Sequence, residues 1–346
     1  VGFKLILLRP AVLPNKLDTK MKWLLGFAAT AAAVAVGSAG EESLQRTTVS
    51  IPGGISHPTD DIYHCVAHKA PEHTSHVVQF EPLQSNYDHG AVHHMIVFGC
   101  EEPYQHHGHW DCEEKPPCGR GQTFLAYAWA MKAPKLHMPK NSGFVVGGDT
   151  KFKYFVVQQH FKNASPQGLP KPTGLNLVTR RGLPNRFAGM ATLAVENFSV
   201  PGGKKRVYVN TKCRVNTDRP ITLFAYRTHA HDIGRRVIGH HNGDEIVNHS
   251  PQLPQAFNRM SPRTVKPGDT LKATCLYDSS HRNRETRVGP THLDEMCNLY
   301  YMFFSETPAI MSLECDGGDH QSVRMERSIQ RLRRDNRKRQ RGQERP

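Results

Sequence analysis

The chain has 346 residues, enough for two ordinary domains and additional terminal segments. Its hydrophobic content of 38% supports packed cores, and its negative mean hydropathy argues against an integral membrane protein. Half of the formal net charge of +14 lies between Arg324 and Arg345, where ten Arg or Lys accompany three Asp or Glu, which argues against a folded nucleic-acid-binding surface.

The first recognisable element follows Met21, where one lysine precedes an apolar run that is too short to span a bilayer and ends in small residues. This pattern is typical of a cleavable signal peptide, predicted over residues 21–40. A short membrane anchor is the alternative. The signal peptide predicts secretion, or residence in the lumen of secretory vesicles, without a membrane span. Three N-x-S sequons permit glycosylation there, at Asn163, Asn197 and Asn248.

Short runs rich in β-branched and aromatic residues, separated by Gly, Pro and Asp, dominate the rest of the chain. Such runs indicate β-strands, and they occur at His76–Phe80, Val92–Phe98, Tyr154–Phe161, Arg206–Val209, Ile221–Arg227, Thr270–Leu276 and Asn298–Phe304. The segment Gly147–Asp149 has the composition of a hairpin loop. The sequence predicts an all-β fold of antiparallel sandwiches.

Eight cysteines fall into two groups, four between residues 65 and 118 and four between 213 and 315. None forms a CxxC pair, which disfavours a zinc ribbon and favours a disulfide framework, although spacing alone leaves roughly a hundred pairings. The gap between the groups and a loop-like Gly182–Gly189 predict two domains, residues 45–186 and 187–316. A basic tail over residues 320–346 is expected to be disordered or a frayed helix.

Two adjacent histidines, His93 and His94, open an apolar strand. Neighbours on a regular strand face opposite sides, so both can reach one metal ion only if the strand twists, bulges or ends there. The alternative is one core histidine and one exposed histidine. A third histidine, His160, ends the run Tyr154–Phe161 and is a candidate ligand only as a partner of this pair.

A second pair, His229 and His231, has the i, i+2 spacing that places both imidazoles on one strand face, a geometry suited to a metal ion. Two surface histidines are the alternative. Met296 is either a gap-filling core residue or a soft thioether ligand, which with two imidazoles favours a copper ion that visits Cu(I). The chain has no HExxH, GxSxG, P-loop or GxGxxG motif, so common hydrolase and nucleotide-binding functions are disfavoured.

Four segments, His93–Met95, Tyr226–His231, Ser250–Phe257 and Asp294–Tyr300, resemble in order and spacing the type II ascorbate-dependent copper monooxygenases. The resemblance covers roughly residues 45–316 and is greatest to the peptidylglycine-hydroxylating branch. It implies two jelly-roll domains that face each other across a solvent-filled cleft. It also implies two copper ions, an electron-donor copper on His93, His94 and His160 and a catalytic copper on His229, His231 and Met296.

The same resemblance implies hydroxylation of the α-carbon of a C-terminal glycine in glycine-extended peptides, with O₂ as co-substrate and ascorbate as reductant. A separate lyase would complete amidation. Arg227, Asn298 and Tyr300 would bind the peptide carboxylate, Arg227 in a bidentate manner; a salt bridge for Arg227 and a core position for Tyr300 are the alternative. Gln158 and Tyr63 would lie on the path between the coppers.

The disulfides implied by the resemblance use every cysteine and cross no predicted domain boundary: Cys65–Cys112, Cys100–Cys118, Cys213–Cys315 and Cys275–Cys297.

Asp232 departs from the family, which often has a histidine there, and is expected to act as a hydrogen-bond partner of a metal ligand. The histidines at 106, 107 and 109 also lack a family counterpart and are expected to be exposed, with secondary copper binding as the alternative. A dopamine beta-monooxygenase-like hydroxylase of phenethylamines and a non-catalytic, secreted copper-binding β-sandwich are the alternative functions.

Overall fold

The structure is a computed structural model that describes residues 44–88, 92–113, 115–130, 132–291, 293–307, 312–315 and 322–325. All of them lie in the unit that begins at Glu42. The predicted signal peptide, residues 21–40, lies outside the described residues, as does most of the predicted tail. No helix in the described part of the chain is long and apolar enough to cross a membrane.

The first half of the described chain contains ten strands and one helical turn. These elements are β1 (Leu44–Ile51), β2 (Ile62–Lys69), β3 (Ser75–Pro82), α1 (Ser85–Asp88), β4 (Val92–Cys100), β5 (His109–Asp111), β6 (Thr123–Ala130), β7 (Leu136–His137), β8 (Ser142–Val146), β9 (Tyr154–Phe161) and β10 (Thr173–Arg181).

Strands also make up the second half, as far as it is described. They are β11 (Arg186–Ala194), β12 (Ser199–Val200), β13 (Val207–Arg214), β14 (Ile221–His229), β15 (Gly234–His241), β16 (Asp244–His249), β17 (Asn258–Val265), β18 (Thr270–Tyr277), β19 (Thr286–Arg287), β20 (Asn298–Ser305), β21 (Ser312–Cys315) and β22 (Ser322–Met325). The all-β prediction is confirmed, and each predicted strand coincides with an observed one.

One ten-stranded sheet runs through both halves in the order β1-β10-β3-β8-β11-β20-β14-β17, with β7 and β21 paired at its side. A five-stranded sheet, β5-β2-β9-β4-β6, belongs to the first half, and another, β16-β15-β18-β13-β22, to the second. The pairings are antiparallel except those of β11 with β8 and β21. The predicted boundary at residues 186 and 187 therefore falls within a strand that continues the large sheet.

Two apolar cores lie on opposite faces of this shared sheet. Met190 and Met302 belong to the core of the first half, whereas their chain neighbours Ala191 and Phe303 belong to the core of the second. Since alternate residues of a strand point to opposite faces, β11 and β20 are buried on both sides. Their nearly continuous apolar sequences follow from that position.

Three of the disulfides implied by the family resemblance form in the structure, Cys65–Cys112, Cys100–Cys118 and Cys275–Cys297. Cys213 is disulfide-bonded as well. Its expected partner, Cys315, lies on β21 with a side chain outside the described residues, so that pair stays a prediction.

Two local predictions are wrong. Gly147–Asp149 does not close a hairpin, because β8 and β9 belong to different sheets and this turn carries the chain from one sheet to the other. Gly147 and Gly148 have φ of 71° and 49°, the left-handed region that favours glycine. The tail, predicted to be disordered or a frayed helix, also differs at its start, where Ser322–Met325 forms β22 and pairs with β13. Backbone hydrogen bonds hold this pairing, so it does not require apolar side chains.

Candidate functional site

A β-bulge brings the first two histidines to the same place. In the pairing of β4 with β9, Val92 lies opposite Phe161 and His94 opposite His160, so His93 is the extra residue on its strand. A bulge turns a side chain away from its regular direction. The bulge therefore allows the adjacent side chains of His93 and His94 to converge, which a regular strand would not allow.

The three converging nitrogens have the spacing of metal ligands. The Nδ1 atoms of His93, His94 and His160 are 3.2, 3.4 and 3.4 Å apart. The centre of such a triangle lies about 1.9 Å from each corner, close to the roughly 2.0 Å of a metal–imidazole bond. Within the described residues, this is the one group of three or more His, Cys, Asp or Glu whose ligand atoms all lie within 4.8 Å of one another.

The protonation states also suit metal binding. Burial, followed by the nearby His160, lowers the pKa of His93 to about 4. The same two causes lower the pKa of His94 well below its usual range. Both rings are therefore neutral at pH 7, the state in which imidazole binds a metal ion.

Asp61 orients the third ring, and the sequence did not single it out. Its Oδ1 lies 2.9 Å from Nε2 of His160, so the proton stays on Nε2 and Nδ1 is left to the metal. Asp61 has φ of 58°, a conformation that Asp tolerates better than most residues. Tyr63 stacks on a face of the same ring, with centroids 4.3 Å apart and planes nearly parallel.

Replacing Asp61 by asparagine should weaken metal binding at these three histidines about 10- to 100-fold, because the carboxylate that orients His160 is lost. Competition with a chelator of known affinity measures the change. Asp60→Asn is the matched control, since its carboxylate instead accepts the backbone N–H of Ala164 at 2.7 Å. Equal affinities in the two variants would contradict the role of Asp61.

In the second pair of histidines, His229 and His231, hydrogen bonds are made by Nδ1, whereas in His160 the hydrogen bond is made by Nε2. His229 ends β14 and His231 lies just beyond it, with ring centroids 5.1 Å apart. Nδ1 of His229 is 2.5 Å from Oε1 of Gln255, and Nδ1 of His231 is 3.1 Å from the carbonyl oxygen of Asp294. Both acceptors require the proton on Nδ1, which leaves Nε2 of each ring as the lone-pair donor.

Glu295 joins the backbones of the two segments that carry these candidate ligands. Its fully buried carboxylate accepts N–H groups of His231, Ile233 and Met296 at 2.8, 2.9 and 3.1 Å. Burial raises its pKa to about 7, although the three donors act in the opposite direction. Glu295 lies within the Asp294–Tyr300 segment of the family resemblance, where the sequence indicates no role for it.

Replacing Glu295 by glutamine should lower the free energy of unfolding by about 1–3 kcal/mol, because an amide NH₂ would face buried N–H donors. Urea denaturation of the metal-free protein measures this loss. Glu285→Gln, at a side chain that is 51% exposed, should change stability little. An unchanged unfolding midpoint in the Glu295 variant would remove its assigned role.

Met296 lines a cavity and is not enclosed in the apolar core. The cavity has a volume of about 310 Å³, and His229, Tyr300 and Arg227 are also in its wall. The amide nitrogen of Asn298 lies 3.7 Å from the Met296 sulfur, and Tyr277 donates to the Met296 carbonyl oxygen at 2.6 Å. Met296 thus shares this cavity with one of the two histidines, His229.

Arg227 is buried at 3% exposure without an acidic partner among the described residues. It donates to the backbone and side-chain oxygens of Gln255, both at 3.0 Å, and lies 5.4 Å from the ring centroid of Tyr300. The amide of Asn298 donates to the Tyr300 hydroxyl at 3.1 Å. A buried guanidinium beside a cavity and paired only with neutral groups is suited to an anionic ligand.

The predicted path residues share a cavity with members of both histidine groups. Tyr63 and Gln158 line the same cavity as His94 and His229, whose rings are 6.4 Å apart. The Tyr63 hydroxyl donates to the carbonyl oxygen of Pro290 at 3.1 Å, which joins the two halves. The expected cleft is therefore narrow here, although a further cavity of about 470 Å³ touches both groups through His93, His229 and His231.

Asp232 does not have the predicted role. Its carboxylate lies 3.2 Å from Arg282 and 3.7 Å from His281, while the Nδ1 atom of His231 is satisfied by a backbone carbonyl. An exposed carboxylate is more stable near cations and water than against a buried ring. The residues that orient the second pair are Gln255, within Ser250–Phe257, and the backbone of Asp294.

The two groups differ in the metal chemistry that they can support. Three imidazoles suit a transition metal that changes oxidation state, whereas two imidazoles with a thioether favour softer ions such as Cu(I). Each group fits copper by its donors. The ligand assignments stay predictions, because the geometry fixes the side chains and not the ion.

Comparison with known proteins agrees with this chemistry. Residues 48–168 match the family model of the N-terminal domain of copper type II ascorbate-dependent monooxygenases, and residues 187–325 match the model of the C-terminal domain. The peptidyl-glycine alpha-amidating monooxygenase of Mus musculus is 36% identical over 267 residues, which is 75% of this chain and 27% of the relative.

Two further relatives extend the comparison. The peptidylglycine alpha-amidating monooxygenase of Rattus norvegicus is 34% identical over 75% of this chain and 27% of its own length. The tyramine beta-hydroxylase of Caenorhabditis briggsae is 31% identical over 70% of this chain and 45% of its own length. The chain thus spans about a quarter of the amidating relatives that it matches. It belongs to the copper type II ascorbate-dependent monooxygenase family.

Proposed function

We propose that this protein hydroxylates the α-carbon of the C-terminal glycine of peptides, with copper at two sites, O₂ as co-substrate and ascorbate as reductant. His93, His94 and His160 would hold one copper ion. The other would be held by His229, His231 and Met296. The printed names of the amidating relatives support peptide substrates.

The observation that carries this proposal is the charge of Arg227 within the cavity. A peptide that ends in glycine presents a carboxylate, and a guanidinium binds a carboxylate through two parallel hydrogen bonds. Tyr300 and Asn298 line the same wall and supply further polar contacts. Because the glycine α-carbon is bonded directly to the carboxylate carbon, binding there brings its C–H bonds toward Met296 and His229.

The protein groups orient the substrate and the ligands, and the metal supplies the redox chemistry. Copper, when bound, supplies one-electron transfer and activation of O₂, which side chains alone cannot provide. Gln255 contributes twice, since it holds both the Arg227 guanidinium and the His229 ring. The carboxylate anchor and one candidate metal ligand are therefore fixed relative to each other, as alignment of a C–H bond requires.

Hydroxylation of an amine is the competing proposal, supported by the tyramine beta-hydroxylase relative. An ammonium group would be repelled by the buried Arg227. The acidic residue in the cavity wall, Glu113, is exposed and so less effective as a charge partner. The electrostatics favour an anionic substrate end.

Secretion, or residence in a secretory lumen, is proposed together with this function. Disulfides persist in oxidising compartments, and three are described here. The asparagines of the three sequons are all exposed, so their attachment to glycans is sterically permitted.

The deciding experiment compares a glycine-extended peptide, the same peptide with an amidated glycine, and tyramine. Each is incubated with the copper-loaded protein, ascorbate and O₂, and products are identified by mass spectrometry. The proposal requires the gain of one oxygen atom at the terminal glycine of the free-acid peptide alone. Oxidation of tyramine alone would favour amine hydroxylation, and copper binding without oxidation would favour a non-catalytic protein.

A further inference from the structure

A second group of histidines lies outside the candidate site. We call His57, His64 and His109 the histidine row. His64 lies on β2 beside Tyr63, and because strand neighbours alternate, it faces the opposite side of the sheet from Tyr63 and the His160 ring. His109 begins β5 opposite Val66, on the same face as His64. His57 exchanges two backbone hydrogen bonds with Ser165.

The rings are as close as those of the candidate metal ligands. Their centroids are 5.0 Å apart for His57 and His64, and 5.2 Å for His64 and His109. The corresponding separations among the three histidines of the first candidate site are 4.8–5.5 Å. His57 also stacks on Phe161 at 3.9 Å, which holds that end of the row in place.

The row contains buried ring nitrogens that lack hydrogen bonds. His57 is 2% exposed and His64 is 9% exposed. Nδ1 of His57 and both ring nitrogens of His64 have no hydrogen-bond partner; carbonyl groups of Ser56 and Trp110 lie near the His64 ring, without the geometry of a hydrogen bond. Buried polar atoms are normally satisfied, so such a group calls for a bound water or ion.

The chemistry of the row selects a cation with affinity for nitrogen. Burial, followed by the neighbouring His64, lowers the pKa of His57 to about 4, and burial also lowers the pKa of His64. Neutral rings offer lone pairs to a metal ion and no charge to an anion. Imidazole suits copper and zinc, whereas calcium and magnesium require oxygen ligands.

We propose that the histidine row is a separate binding site for one copper or zinc ion, held by His64 with the flanking histidines. The row is more open than the first candidate site, since its ligand atoms do not all lie within 4.8 Å. The ion is therefore held first by His64 and His57. His109 becomes the third ligand when its partly exposed ring turns inward. That ring also marks the solvent side from which the ion arrives.

The test counts metal ions per chain. The whole protein, its His64→Leu variant and its His107→Ala variant are dialysed to equilibrium against Zn(II), and separately against Cu(II), before protein and metal are quantified. His64→Leu should lose about one ion per chain and keep its hydroxylation rate. His107 lies on the loop before His109 and outside the row, so His107→Ala should bind as much metal as the parent protein.

A second variant keeps the test decisive if His64→Leu folds poorly. His57→Phe preserves an aromatic ring against Phe161 and should also lower the amount of bound metal. Unchanged metal content in every folded row variant would overturn the proposal and leave buried water as the occupant. This outcome is independent of the proposed function, because hydroxylation of the glycine-extended peptide is measured separately on the Cu(II)-dialysed samples of the same variants.

Discussion

Replacing Met296 by leucine should reduce peptide hydroxylation more than about 100-fold and leave the metal at His93, His94 and His160 bound. Changes to groups that only orient a ligand cost 10- to 100-fold, so loss of a ligand atom should cost more. Leucine fills a similar volume, and such exchanges usually cost less than about 1.5 kcal/mol of stability. The effect therefore isolates the sulfur.

The measurement is initial-rate hydroxylation together with copper content after dialysis. Met302→Leu is the matched control, since Met302 lies fully buried in the core on β20 and should retain activity. The Met296 variant should lose binding of the second copper ion and retain the first. Activity within threefold of the parent protein would show that the thioether is not a ligand.

Strand positions and most cysteine pairs follow from local sequence and from the family resemblance. The runs at Val92–Phe98 and Asn298–Phe304 are rich in β-branched or aromatic residues, so their identity as strands depends on few long-range effects. The continuity of the ten-stranded sheet across both halves could not be predicted in this way. It depends on Arg186 and Phe187 pairing with Ser142 and Gly143, a contact that no local pattern specifies.

The site shows the same division between donors and the groups that orient them. The candidate metal donors, histidine and methionine, can be recognised in the sequence from their spacing. Asp61, Gln255 and Glu295 are common residue types that act through hydrogen bonds with remote segments. Carboxylates and amides of this kind occur throughout the chain, so only the fold distinguishes those that face a ligand.

The two candidate centres differ in the imidazole nitrogen that is left for a metal ion. The difference follows from the residues that hydrogen-bond the other nitrogen of each ring. Asp61 binds Nε2 of His160 and leaves Nδ1 for the metal. Gln255 binds Nδ1 of His229 and leaves Nε2. Because Nδ1 lies nearer the backbone than Nε2, the first centre lies close to its strands, and the second can extend toward the cavity.

Replacing Arg227 by lysine should raise the KM for a glycine-extended peptide about 30- to 1000-fold, which corresponds to roughly 2–4 kcal/mol of lost carboxylate binding. Lysine keeps the positive charge, yet it cannot make two parallel hydrogen bonds to a carboxylate while also donating to both oxygens of Gln255. Copper affinity should change far less, because the guanidinium is not a ligand.

Steady-state kinetics over a range of peptide concentrations, with copper saturating, measure this effect. Arg259→Lys is the matched control, because Arg259 is exposed and donates to the carbonyl oxygen of His137 at 2.9 Å; its KM should stay within twofold. The amidated peptide lacks the carboxylate, so the parent protein and the Arg227 variant should handle it equally poorly. If copper affinity and KM instead change by the same factor, Arg227 maintains the shape of the metal site and does not anchor the substrate.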